Sequence, residues 1–458
     1  MRPDSLLKTL LGFGSSAVLA LTLVGCGGGS STAPTSAPVV TPNAQSAPVG
    51  VSIGDAPSDS VIAFEATISA LTLNTSSGSS VSVLSGPAKI ELSHLAGTTE
   101  FVGSVNVPAG TYTSAVVTIS GAELTAILAG SPTPVHQHFG AQSPVTVTFA
   151  SPLTVSTTAG AVALDFDLSK SLTVSGTTFT FTPTITSVAA AAVGGENEQD
   201  DDHGRADDLK GTVVSVTSNS FVLKQDTGNS VTIAIDSTTS FNDITGLSAL
   251  KPGFIVEVDA VTASDGTLHA TRIESETETE TAGMEAEGLI RSISGTSLVI
   301  AVDQSAAHDD ASRPTTGNDL SVDITKAKFR VQAKKFNLSQ LGFSFGAITD
   351  LAVGQRIEVD TETESTSAVS SNRIQLQQQA LSGTVSGCSG SLCTFTLTLP
   401  ADSAFAVLTG QSTVTVNQVS DTQLKGIASF KDGDKVRVRG WVFHSSTGYN
   451  MAAARITN

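Results

Sequence analysis

The sequence predicts an all-β chain: a β-sandwich followed by three small OB-like β-barrels in tandem. Short runs of alternating apolar and polar residues, separated by Gly, Pro and Ser, recur from about residue 49 onward, the period of strands buried on one face. Charged residues make up only 14% of the 458, which fits neither a coiled coil nor a charge-driven disordered protein. After residue 208 the same landmarks return three times, the mark of a repeat architecture. The 24 Lys and Arg against 42 Asp and Glu leave a net charge of −18, which speaks against nucleic acid as a partner because nothing attracts a phosphate backbone. One Trp and two Tyr leave few rings on which bases or sugars could stack.

The first 25 residues have the layout of an export signal. Arg2 and Lys8 precede an apolar run from Leu10 to Val24, too short to span a bilayer comfortably and of signal-peptide length. The run ends in Leu23-Val24-Gly25-Cys26, which resembles the bacterial lipobox. That resemblance implies cleavage before Cys26 and acylation of its thiol, and two or three acyl chains give stable anchoring where one is marginal. Gly27 rather than Asp follows the Cys, and by analogy with lipoprotein sorting this favours the outer membrane. Residues 26–48 are a Gly/Ser/Pro-rich tether that buries no core.

The sandwich is expected over 49–190, with strands in Phe64 to Leu73, Tyr112 to Ile119, Val145 to Phe149, Val162 to Leu168 and Phe179 to Ile185, about seven in all. Three motifs stand out: Gly54-Asp55-Ala56-Pro57, Val107-Pro108-Ala109-Gly110-Thr111-Tyr112, and Leu164-Asp165-Phe166-Asp167 with Phe181-Thr182-Pro183. On these the segment resembles domain of unknown function 4382, found in bacterial envelope lipoproteins. The resemblance implies a prealbumin-like or immunoglobulin-like sandwich and carries no activity with it. An acidic linker, 191–208, follows.

The repeats occupy 209–276, 284–377 and 380–458. Each has a strand-opening glycine (Gly211, Gly288, Gly383), a turn glycine (Gly253, Gly354, Gly433) and a closing pair (Arg272-Ile273, Arg373-Ile374, Arg455-Ile456). Five short strands per unit suit a small OB-type barrel. The first unit resembles domain of unknown function 5666, and the others look like divergent copies. Gly288 and Gly354 are 66 positions apart against 42 for Gly211 and Gly253, so the second unit carries 24 extra residues, expected to include the polar stretch His308 to Gly317. Alternation places Val256 and Val258, Ile357 and Val359, and Val436 and Val438 inward. It also places Glu257, Glu358 and Arg437 toward solvent, since an unpaired buried charge costs several kcal/mol.

Candidate chemistry is sparse. Cys388 and Cys393 bracket four residues between strand-like runs, which suits a hairpin closed by a disulfide in an exported chain; with no His nearby in sequence, a two-Cys metal site is the weaker alternative. His136 and His138 share one strand face and could reach one metal ion, but no third ligand is evident and an exposed polar loop is the more ordinary reading. Asp55, Asp165 and Asp167 could gather oxygen ligands for Ca²⁺ or another divalent metal; against this, an Asp before Ala-Pro commonly satisfies turn amides. The acid-rich rows 274–280 and 360–364 read as solvated linker or edge-strand protection. No nucleophile elbow, phosphate loop or metalloprotease helix is present in the sequence to organise catalysis. The expectation is therefore a lipid-anchored envelope lipoprotein acting as a non-catalytic binding or structural module, with no obligate cofactor and with an envelope protein or polysaccharide as partner. A carbohydrate-binding surface protein is the alternative, and a hydrolase a more distant one.

Overall fold

A computed structural model describes residues 45–457 apart from 57, 96–98, 158, 193–204, 226–227, 229, 264–266, 276–282, 308–311, 332, 334–335, 362, 364, 389–391 and 447. Cys26, the export signal and the start of the tether lie outside the described residues.

The chain is all-β. Its first body is a sandwich. One sheet runs in the order Ile185–Ala192, Gly160–Phe166, Ser46–Asp55, Thr99–Pro108. The other is built on the long antiparallel pair Val61–Thr75 and Gly110–Leu128, extended by Ser80–Ser82, Ala88–Glu91, Ser131–Phe139 and Val145–Val155. Alternate residues of both sheets, among them Val49, Val51, Ile53, Phe64, Ile68 and Leu71, meet in one core, as aligned sheet packing requires. The strands are longer and more numerous than the alternation alone suggested. The Tyr112 hydroxyl donates to the Pro108 carbonyl at 2.9 Å, a tie across a strand corner of the kind sandwiches use, and this accounts for the Val-Pro-Ala-Gly-Thr-Tyr motif.

Three barrels follow. The first is made of Arg205–Val216, Ser220–Gln225, Ser230–Ala234 with Ser240–Asn242, Ile255–Thr262 and Leu268–Ser275. The second is made of Met284–Ser294, Ser297–Ala307, Asp319–Asp323 with Lys328–Val331, Arg356–Thr361 and Ala368–Leu376. The third is made of Gln378–Ser386, Thr394–Thr398, Thr413–Lys425, Lys435–Ser445 and Gly448–Thr457. In each, the first strand pairs with the second and fourth, and the fifth lies antiparallel to the fourth and parallel to the third. The shared order, 1-2-3-5-4 and back to 1, is that of a five-stranded OB-type barrel. The first barrel starts at Arg205, so the end of the expected linker is strand.

The landmark glycines have a steric cause. A Cβ on Gly211 would lie 2.2 Å from the Lys224 carbonyl oxygen, on Gly288 2.2 Å from that of Ala301, and on Gly383 2.5 Å from that of Thr398. The first strand is pressed against the second at this point, and only a residue without Cβ allows it. The turn glycines take φ of 93°, 86° and 90° at Gly253, Gly354 and Gly433, open to Gly at little cost. The valines and isoleucines after them face the cores of their own barrels as expected.

One expectation needs correction. Glu257 and Glu358 do not face solvent: they are 1% and 0% exposed, and Arg437 is half-buried. The three sheets are separate, but the outward face that carries these residues is covered by a neighbour rather than by water. The extra residues of the second barrel are shared about equally between the connection from Ser297–Ala307 to Asp319–Asp323, which takes in 308–317 as expected, and the segment between Lys328–Val331 and Arg356–Thr361, whose residues complete the core. That segment brings Phe336, Leu338, Leu341 and Phe343 to the second barrel's core, which also takes in Trp441 and Phe443 of the third.

The strand-opening contact makes a direct prediction. Gly288→Ala should lower unfolding stability by about 2 kcal/mol or more, whereas Gly140→Ala, which meets nothing within 4 Å, should change it by less than about 0.5 kcal/mol. Urea denaturation of the two variants measures the difference.

Candidate functional site

The described residues that converge most closely are charged and sit where the first two barrels meet. Lys210 is the residue before the first strand-opening glycine, and the pairing registers align it with Glu257 and Glu274 across the sheet. In the second barrel the same ladder reads Glu287, Glu358, Gln375. In the third it reads Ser382, Arg437, Thr457. These rows point away from the barrel cores, and the first two rows pack on each other.

Lys210 Nζ lies 2.5 Å from Glu285 Oε1, 2.8 Å from Glu358 Oε2 and 3.9 Å from Glu257 Oε2, and also pairs with Glu287. Glu285, Glu287 and Glu358 present oxygens within 4.8 Å of one another, and the ammonium is the cation they share. Burial alone would lower the Lys210 pKa, but Glu285, Glu287, Glu358 and Glu257 together hold it well above the usual lysine range. Burial raises Glu285 well above the carboxylate range, and Glu358, Asp360 and Glu287 add to it against the pull of Lys210. Burial likewise pushes Glu358 up to about 7. In Glu287 the burial effect is outweighed by Lys210 and Arg356, which bring it down to about 2.

The charged contact continues outward. Arg330 donates to Glu274 at 2.8 Å and to Asp243 at 3.0 Å, tying the second barrel to the first. Arg272 pairs with Glu257, Asp259 and Glu274, and Arg373 with Asp360. The closing Arg residues are thus outward, as expected, but Arg272 and Arg373 belong to the joint. Glu274 and Asp360, read as solvated acid-row residues, are buried in it. Arg356 makes a two-pronged contact with Asp303 at 2.9 and 3.0 Å and reaches Glu287 at 2.9 Å. On the sandwich side, Gln304 Nε2 donates to His94 Nε2 at 2.9 Å while His94 Nδ1 lies 2.8 Å from Glu91 Oε2.

The third barrel turns its equivalent row to the sandwich. Arg437 acts on Asp55, Asp59 and Asp165, Ser382 bonds Asp59, and Arg439 donates to the His94 carbonyl at 2.7 Å. The Asp55 and Asp165 carboxylates thus lie in the field of the Arg437 guanidinium. Asp55 Oδ1 accepts from the distant Leu168 amide at 3.1 Å rather than from its own turn, and burial raises its pKa well above the carboxylate range. Asp167 does not continue the strand face of Asp165, because the strand ends at Phe166 and Asp167 caps the short helix Leu168–Ser171.

The other sequence candidates lie apart. His136 and His138 are exposed on one edge strand, and each uses Nδ1 on a cross-strand partner: Thr125 Oγ1 at 3.0 Å and Glu123 Oε1 at 2.6 Å. Thr125 Oγ1 also donates to the Gly317 carbonyl at 3.3 Å. Cys388 and Cys393 have their sulfurs 2.15 Å apart in the loop between the first two strands of the third barrel. Lys210 itself went unnoticed in the sequence. The signal for it was the residue before each strand-opening glycine, which changes from Lys to Glu to Ser while the glycine stays.

Comparison with known families is now interpretable. Residues 46–183 match the family model described as Domain of unknown function (DUF4382), and residues 210–274 match Domain of unknown function (DUF5666). The chain carries both domains, in that order. The DUF5666 match covers the first barrel, whose strand order and glycines the next two share. No curated protein matches the chain.

Two outcomes test this geometry. Lys210→Met leaves four buried carboxylates without their shared cation and should destabilise the protein by about 3–5 kcal/mol, read by chemical denaturation. Mass-tagging of the denatured, unreduced mature protein should find no reactive thiol at Cys388 or Cys393. Reduction of so short a loop should cost the third barrel about 2 kcal/mol.

Proposed function

We propose that this is a lipid-anchored lipoprotein of the bacterial envelope, on the outer membrane, whose sandwich and barrels act together as a non-catalytic binding or structural block. The observation that carries the reading is Leu23-Val24-Gly25-Cys26 at the end of an apolar run, followed directly by a Gly/Ser/Pro tether. Acyl chains on Cys26 hold the chain in the bilayer, and the tether of about twenty residues spans roughly 25 Å as a coil, enough to stand the folded part off the surface. Support for a non-catalytic role comes from how the buried charges are used. Lys210, Arg356 and Arg437 are each committed to carboxylates or polar groups on a neighbouring strand or body.

A carbohydrate-binding role draws less support. Trp441 is fully buried, Tyr112 is buried with its hydroxyl bonded, and Tyr449 stacks against Phe405 inside the third barrel. None of these rings is a free platform for a sugar face.

Replacement of the anchoring thiol tests the proposal. Cys26→Ala should abolish incorporation of labelled fatty acid into the protein, and inhibition of the lipoprotein signal peptidase should accumulate a larger, uncleaved precursor in the membrane fraction. A wild type that takes up no fatty-acid label, or a size unchanged by the inhibitor, would rule out the lipid anchor.

A further inference from the structure

We propose that the contact between the first and second barrels is a proton-operated latch, tight while Glu285 and Glu358 hold a proton between them and loosened when both are ionised. The geometry carries this. One ammonium serves Glu285, Glu287 and Glu358, all within 4.8 Å of one another and all buried. Glu285 Oε2, Glu358 Oε1 and Asp360 Oδ1 are enclosed in the same region and accept no hydrogen bond. A buried carboxylate oxygen without a donor is costly as an anion and is a natural seat for a proton.

The charged groups around the pair among the described residues have partners of their own. From the first barrel come Lys210 and Glu257, the latter held by Arg272. From the second barrel come Glu287, already neutralised by Arg356, and Asp360, already neutralised by Arg373. Arg330 is engaged with Glu274 and Asp243, Asp303 with Arg356, and Gln377 donates to Glu358 Oε2 at 2.6 Å. His94 of the sandwich acts on Glu287.

The direction follows from linkage. A carboxyl raised on folding contributes stability that is complete below its ordinary value and is lost as pH climbs to its folded value. For Glu358 that window runs from 4.5 to about 7, and Glu285, raised well above 4.5, acts in the same direction. Glu287, lowered to about 2, contributes stability that is lost only below its ordinary value of 4.5. Lys210, raised above 10.5, keeps its contribution until the alkaline range. From pH 5 to 8 the pair therefore sets the trend, and the joint weakens as pH rises.

Hydrogen exchange on the whole chain between pH 5 and 8 tests this. Amide protection in Arg205–Val216 and Met284–Ser294 is divided by that in the sandwich strands Val61–Thr75 and Gly110–Leu128, which cancels the base catalysis of exchange. In the wild type the ratio should fall by about tenfold or more across the range. In Glu285→Gln/Glu358→Gln it should stay within about twofold. The milder Glu358→Gln should show a smaller fall than the wild type and decides the matter if the double variant does not fold. A constant ratio in the wild type, or an equal fall in the variants, overturns the latch.

Discussion

The arrangement of this protein turns on one buried ammonium. Lys210 brings a positive charge into a contact where Glu285, Glu287, Glu358 and Glu257 would otherwise repel one another in a dry environment. Removing one partner of such a cluster costs far more than the cluster contributes relative to an apolar contact of the same shape. It therefore enforces a pairing more than it adds stability: the first barrel fits the second in one register, with Lys210 under the glutamates and Arg330 over Glu274.

The same surface of the repeat is used twice, with chemistry matched to its neighbour. In the first two barrels the outward row on the first, fourth and fifth strands is mixed or acidic, and the two rows meet each other. In the third barrel the row carries Arg437 and meets Asp55, Asp59 and Asp165 of the sandwich. Apolar contacts reinforce this packing. Along Gly448–Thr457, Met451 and Ala453 face the third barrel's own core while Ala452 and Ala454 join the second barrel's. A strand buried on both faces reads as an unbroken apolar run, which is why Met-Ala-Ala-Ala shows no alternation.

Period-2 alternation reports which residues share a face, and steric necessity reports which positions must be glycine. Both were legible: the repeat, its turn glycines and the inward valines stand where the sequence places them. What covers the outer face is not legible from period alone, because Glu257 and Glu358 alternate just as solvent-facing residues do. Comparison between repeats held the missing information. The ladder positions change charge from barrel to barrel, Lys210 to Glu287 to Ser382 and Glu257 to Glu358 to Arg437, and solvent would impose no such complementarity. The partner of Asp55 is not legible for a related reason, since Leu168 is 113 residues away and no local motif reports it.

The most direct measurement is a double-mutant cycle across the joint, with Lys210→Met, Glu287→Gln and the pair combined, each unfolded in urea. If Lys210 organises the contact, the two changes should couple by about 1 kcal/mol or more, with the second costing much less once the first is made. Additivity within about 0.3 kcal/mol would mean that the ammonium and the glutamate do not depend on each other, and that the barrels are held by their other contacts.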